Sequence, residues 1–231
     1  MVKLSLMLII VACVWRCCAI PLRHSGKGAS PYPNSTATSD YREATFEELQ
    51  RAAKHSAAAY TICPGKAFDV YLTKYFTHLL TGTEGYVGYS TNRKVIAVVF
   101  RGSTSFIDVA NNLDTKTVVP HIPNVEFPLG AGIMQGIYRP YMSVHDEIVM
   151  QIANLQLRYP DYAIEITGHS LGGSLVYLAH IAINQIFKDS NITSYALSAY
   201  PIGNQVYANF GAAQRGVLFR GNPKDDGVPV S

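Results

Sequence analysis

The sequence predicts an α/β fold, a mostly parallel sheet with helices on its faces. Two observations carry this. Short apolar, β-branched runs alternate with longer segments of helical periodicity, and one of them, Val95-Ile96-Ala97-Val98-Val99-Phe100, is continuously apolar, as a strand buried on both faces requires. A Gly-rich turn, Gly168-His169-Ser170-Leu171-Gly172, also sits between a strand-like run and an apolar-striped helix. At 231 residues, 48% hydrophobic and 15% charged, the chain suits one domain with a sizeable core.

The elements follow in order. Residues 1–19 have the form of a signal peptide: Lys3 supplies the positive start, 4–15 are apolar, and Cys17-Cys18-Ala19 offers small residues with cleavage after Ala19. That run is too short to cross about 30 Å of hydrocarbon as a helix. The mature chain is therefore expected to be extracellular and without a membrane span. Residues 20–44, rich in Ser, Pro, Gly and Thr, fit a flexible leader or pro-segment. The ordered domain is expected over 45–231, opening on the capping box Thr45-Phe46-Glu47-Glu48 and an Ala-rich helix to Tyr60. Strands are expected at 85–90 and 94–101, and a helix at 140–158 with Met142, Ile148, Ile152 and Leu155 near helical spacing. Pro160 ends it. A strand at 163–167, a helix after Ser170, and strands at 194–200 and 216–220 complete the pattern.

The formal charge of +3 comes without a dense Lys/Arg cluster, which argues against a nucleic-acid partner. Three of four cysteines lie in or beside the signal segment, so Cys63 alone remains, either as a buried thiol or as half of a disulfide. Asn34-Ser35-Thr36 and Asn191-Ile192-Thr193 are glycosylation triplets in keeping with secretion.

The chemistry centres on Ser170. In a strand–turn–helix a serine flanked by glycines is held in a strained turn with its hydroxyl projected from the sheet, and Gly168 and Gly172 remove side chains that so sharp a turn cannot hold. The helix N-terminus adds partial positive charge beside the reacting centre. The bland alternative is an ordinary Gly-rich turn. His169 adjoins the serine but points elsewhere in such an elbow, so it is expected to be structural.

Thr167-Gly168-His169-Ser170-Leu171-Gly172-Gly173 resembles the nucleophile signature of the class 3 lipases, the filamentous-fungal triacylglycerol lipase family, whose fold the feruloyl esterases share. Gly136-Ile137-Tyr138 and Tyr159-Pro160-Asp161-Tyr162 resemble the approach to that elbow. Tyr200-Pro201-Ile202-Gly203-Asn204 resembles the Pro-Arg-Val-Gly-Asn segment of the family, with Pro201 where the family has Arg and Ile202 where it has Val. The resemblance implies an α/β-hydrolase-like fold and an ester hydrolase acting on acylglycerols at a lipid–water interface, without metal or cofactor.

It also implies roles. In Val99-Phe100-Arg101-Gly102-Ser103 the residue after Arg-Gly donates to the oxyanion, so Ser103 takes that role, with the Leu171 N–H as the second donor. The family anchors that hydroxyl with an Asp; Asn112 is the nearest match here, with Asp114 beyond. Residues 105–113 form an amphipathic pattern, with Phe106, Val109, Ala110 and Leu113 on one face. The resemblance makes this segment, Ile107 included, a lid; a surface helix packed on the core has the same periodicity.

Asn222-Pro223-Lys224-Asp225-Asp226-Gly227-Val228-Pro229 resembles the Asp-x-Val-Pro acid motif of the family, which makes Asp226 the acid and Asp225 the fallback. A serine nucleophile needs a base, and family order puts a histidine after the acid. All seven histidines (His24, His55, His78, His121, His145, His169, His180) precede Asp226. His55 and His145 are expected on solvated helix faces, His180 pointing away from Ser170, and His121 is an outside candidate. Family members pair the cysteine after the first helix with one near the C-terminus. Both gaps lead to the expectation that the C-terminal part of the fold is missing from this sequence. The rival readings are a feruloyl-type esterase and an inactive or unfolded fragment.

Overall fold

The computed structural model describes residues 36–61, 63–103 and 114–222. The expected signal peptide, Asn34, the lid residues Phe106, Ile107, Val109, Ala110 and Leu113, and the acid Asp226 lie outside them.

Strand β4 (Val95–Phe100) is the buried strand that the apolar run predicts, with Ile96 to Phe100 at most 1% exposed. It joins two half-sheets. On one side an antiparallel meander leads away through β3 (Thr83–Ser90), β2 (Val70–His78) and β1 (Lys66–Ala67). On the other side β7 (Ala163–His169), β8 (Ile192–Leu197) and β9 (Val217–Gly221) run parallel to it. The order is β1-β2-β3-β4-β7-β8-β9. A small ribbon, β5 (Thr117–Val118) with β6 (Ile133–Met134), stands apart.

Among the described residues lie the helices α1 (Thr36–Ala58), α2 (Gln135–Arg158), α3 (Leu171–Ile186) and α4 (Gln205–Ala212). Helices α2 and α3 bury Ile137, Tyr141, Ile148, Ile152, Val176 and Ala179 with the sheet residues Val98, Phe100, Ile164 and Ile166. Helix α1 covers the opposite face, where Ser56 meets Thr167 and Ala58 meets Ala97 and Val99. Among the described residues no helix is long and apolar enough to cross a membrane.

Several boundaries differ from the sequence expectation for physical reasons. Helix α1 begins at Thr36, nine residues ahead of the capping box at Thr45, so part of the expected leader is helical. A capping preference of about 1 kcal/mol does not stop a helix whose preceding residues continue it. Helix α2 begins at Gln135 rather than Pro140, because the carbonyls of Lys116 and Asp114 accept the N–H groups of Gln135 and Gly136 and do the work of a cap. Strand β8 stops at Leu197, where Ser198 turns to φ 46°.

Candidate active site

Ser170 stands where β7 passes into α3, with φ 57° and ψ −124°. A β-carbon at such a positive φ is strained. Neighbouring backbones hold it there: the Ser170 N–H donates to the Leu197 carbonyl at 2.9 Å, and its carbonyl accepts the Ser174 N–H at 3.0 Å. Ser174 in turn bonds both the N–H and the carbonyl of Tyr200, at 2.9 and 3.2 Å. The turn is too tight for side chains, since a Cβ on Gly168 would stand 2.3 Å from the Gly172 carbonyl oxygen.

The loop after β4 comes to the same place. Phe100 pairs with Gly168 in the parallel register. A Cβ on Gly172 would meet the Phe100 carbonyl oxygen at 2.5 Å, and one on Gly102 would meet the His169 carbonyl oxygen at 2.5 Å. Arg101-Gly102-Ser103 therefore lies against the elbow, and half-buried Ser103 and Leu171, the first residue of α3, flank it. Ser170 itself is 4% exposed, so an attacking hydroxyl there works in a desolvated setting.

Tyr60, at the end of α1, closes this junction from behind. Its hydroxyl is 3.4 Å from His169 Nδ1 and would be 2.1 Å from a Gly102 Cβ. Burial pushes its phenol up to about 12, against the opposing pull of the Arg101 charge and the Gly102 N–H. Arg101 is held by Glu84. Nothing in the sequence pattern links Tyr60 to the elbow, and the expectation missed it.

Several of the described histidines are engaged elsewhere. His55 and His145 are not solvated, as expected from sequence, but 0% and 2% exposed. His55 Nε2 lies 3.0 Å from Asp69 Oδ1 and its Nδ1 3.2 Å from the Tyr86 hydroxyl. These partners come from the β1–β2 turn and β3, which helical periodicity does not reveal. His145 Nδ1 is 3.0 Å from the Tyr141 hydroxyl, and burial lowers its pKa despite nearby Asp146. His180 Nδ1 is 2.8 Å from Ser194 Oγ on β8. His78 bonds Thr81, and His121 is exposed, its backbone held by the Tyr138 hydroxyl. Among the described residues no histidine bonds the Ser170 hydroxyl.

Cys63 is a free, buried thiol, 3.4 Å from Thr61 Oγ1. Asn191 is exposed at the entry to β8. Asp114, beyond the expected anchor Asn112, accepts from the Lys116 N–H and from Gln135, not from Ser103. Among the described residues no cluster of His, Cys, Asp or Glu is arranged to hold a metal ion.

A family model described as lipase (class 3) matches residues 97–231. The chain is 50% identical over 201 residues to a secreted alkaline triacylglycerol lipase of Penicillium cyclopium, covering 87% of this chain and 70% of that one. It is 27% identical over 216 residues to a lipase of Rhizomucor miehei, covering 83% of this chain but 57% of the relative. Among solved structures, a triacylglycerol lipase from Penicillium expansum superposes with a TM-score of 0.79 at 50% identity, covering 80% and 72% of the two chains. A lipase from Rhizopus microsporus var. chinensis gives 0.73 at 29%, covering 80% and 68%.

Proposed function

The chain belongs to the class 3 lipase family, and from that premise we propose that it is a secreted ester hydrolase that cleaves acylglycerols, with Ser170 as nucleophile. The observation that carries the reading is the strained Ser170 at the head of α3, pressed by Gly172 against the backbone that leads to Ser103. In this reading Ser170 Oγ attacks the ester carbonyl carbon while a base takes its proton. The N–H groups of Ser103 and Leu171 hold the negative charge that develops on the carbonyl oxygen, each worth on the order of 3 kcal/mol of barrier. Collapse expels the glyceride alkoxide, which recovers the proton, and water then releases the fatty acid from the acyl-serine.

Asp226 is proposed to orient the base. The base itself is proposed to be a histidine outside the seven of this sequence, since His55, His145 and His180 are committed to Asp69, Tyr141 and Ser194 and family order puts the base after the acid. The acylglycerol substrate and the secretion are supported by the 50% identity to the secreted alkaline triacylglycerol lipase of Penicillium cyclopium. The lid reading of residues 105–113 belongs to the same proposal and rests on their amphipathic sequence together with the resemblance to the family.

Titration of the fatty acid that the full-length protein, with the histidine-bearing segment present, releases from an emulsified long-chain triacylglycerol tests the reading, beside hydrolysis of a feruloyl ester and a Ser170→Ala control. Expected is triacylglycerol hydrolysis that Ser170→Ala abolishes. Turnover of the feruloyl ester alone, or hydrolysis no faster than the Ala variant, would overturn it.

A further inference from the structure

The β2–β3 turn carries two adjacent leucines, Leu79 and Leu80, that are 92% and 94% exposed. Single exposed leucines are ordinary, but a consecutive pair at a tip is a contiguous apolar surface in water. The register fixes its position. Gly85, Phe100 and Gly168 form one row across β3, β4 and β7. Thr83 lies two residues past that row on β3, and Ser170 two residues past it on β7. The turn beyond Thr83 therefore rises at the same sheet edge as Ser170 and past its level. At about 4.8 Å per strand, β3 and β2 stand roughly 10 and 14 Å to the side of β7.

The turn is also held firmly. Thr81 Oγ1 bonds Thr83 at 2.8 Å, Ser143 of α2 at 2.9 Å and His78 at 3.0 Å, and Thr83 donates to the Pro140 carbonyl at 3.2 Å. The leucines are thus presented outward on a fixed base. From Thr77 to Thr83 the sequence carries no carboxylate and no Lys or Arg, and the next charge, Glu84, is paired with Arg101. Entering an apolar medium would cost this tip no buried charge.

We infer that Leu79 and Leu80 form a lipid-surface anchor, separate from the segment 105–113, that seats the Ser170 edge of the sheet on the surface of a lipid aggregate. This rests on the acylglycerol reading above. Sinking a short apolar tip into the headgroup boundary follows the same area-dependent energetics as other interfacial contacts. Leu157 provides an internal control: it is 86% exposed, yet lies near the end of α2 just before the chain enters β7, at the opposite sheet edge.

Cosedimentation of the full chain with phosphatidylcholine vesicles tests the anchor without needing turnover. The double variant Leu79→Ser/Leu80→Ser is expected to lower the partition coefficient about tenfold, and Leu157→Ser to leave it within about twofold, with thermal midpoints unchanged in both. No vesicle binding by the parent chain, an unaltered partition in the double variant, or an equal loss in Leu157→Ser would overturn the anchor. So would a parent oligomer that the double variant dissociates while vesicle binding persists, which would make the tip a self-association surface. Absence of Ser170-dependent hydrolysis beside intact, leucine-dependent partition would instead count against the catalytic reading alone.

Discussion

A Cβ on Gly172 would stand 2.5 Å from the carbonyl oxygen of Phe100 and 2.8 Å from that of Arg101. The start of α3 and the end of β4 thus approach as closely as two backbones can with one glycine between them. Gly172→Ala gains about 1 kcal/mol of helix propensity but must force the two apart. We expect a net loss of about 1–3 kcal/mol in a urea titration, with slower labelling of Ser170 by an organophosphate. A midpoint equal to the parent's would mean the approach is not tight.

Tyr60 makes a milder prediction. Its hydroxyl bridges the Gly102 N–H and His169, so Tyr60→Phe removes one bonding group and leaves a buried donor behind. The expected cost is about 1 kcal/mol in the denaturation midpoint. An unshifted midpoint would show that water replaces the phenol.

The elbow was legible because its requirements are local: glycine at 168 and 172, a strand before and a helix after are all written in adjacent residues. The buried strand β4 was legible for the same reason. What escaped was non-local. Strand β2 carries exposed Tyr71, Lys74 and Tyr75 beside buried Val70 and Phe76, and its register slips between Leu72 and Lys74, so its period is broken. Of the antiparallel half of the sheet, only β3 was expected; β2 and β1 went unseen. The burial of His55 depends on Asp69 and Tyr86, brought in by that same meander. Helix α4 is only eight residues long and is capped by the Asn204 side chain, which also binds Gly130 and Gly132 from a distant loop.

The cluster on which His55 depends is itself testable. Asp69 receives Arg93 Nε at 2.6 Å and lies 3.0 Å from His55 Nε2, while Arg93 also reaches Glu165 at 2.5 Å. Burial raises the Asp69 carboxyl, but the bonds from His55, Arg93 and Ser90 and the Arg93 charge outweigh it and leave it well below the usual range. Phe68, at φ 53° in the turn before it, stores backbone strain that this cluster holds in place. Asp69→Asn should cost about 2 kcal/mol at pH 7, less than a fully buried pair because the side chain is 27% exposed. The penalty should shrink as pH falls through the unfolded carboxylate value of 3.8 and below. A penalty constant from pH 7 to pH 2 would assign the loss to packing rather than charge.

His180 works in the opposite sense. It is 2% exposed, bonded to Ser194 at 2.8 Å, and burial lowers its pKa from 6.5 to about 4. The unfolded chain therefore takes up a proton first as the solution is acidified. Between pH 6.5 and about 4 the unfolded state holds a proton that the folded state refuses, so stability is full above 6.5 and declines on acidification. The slope contributed is at most roughly 1.4 kcal/mol per pH unit. Chemical denaturation of the parent and of His180→Gln at half-unit steps from pH 7 to 4 isolates it, because the carboxylates titrate in both proteins. The variant will start less stable at pH 7, having lost its fit to Ser194, and the gap should close as pH falls. A gap that stays constant over this window would mean that His180 takes up its proton alike in the folded and unfolded chains, and a gap that widens would mean that the fold holds an imidazolium.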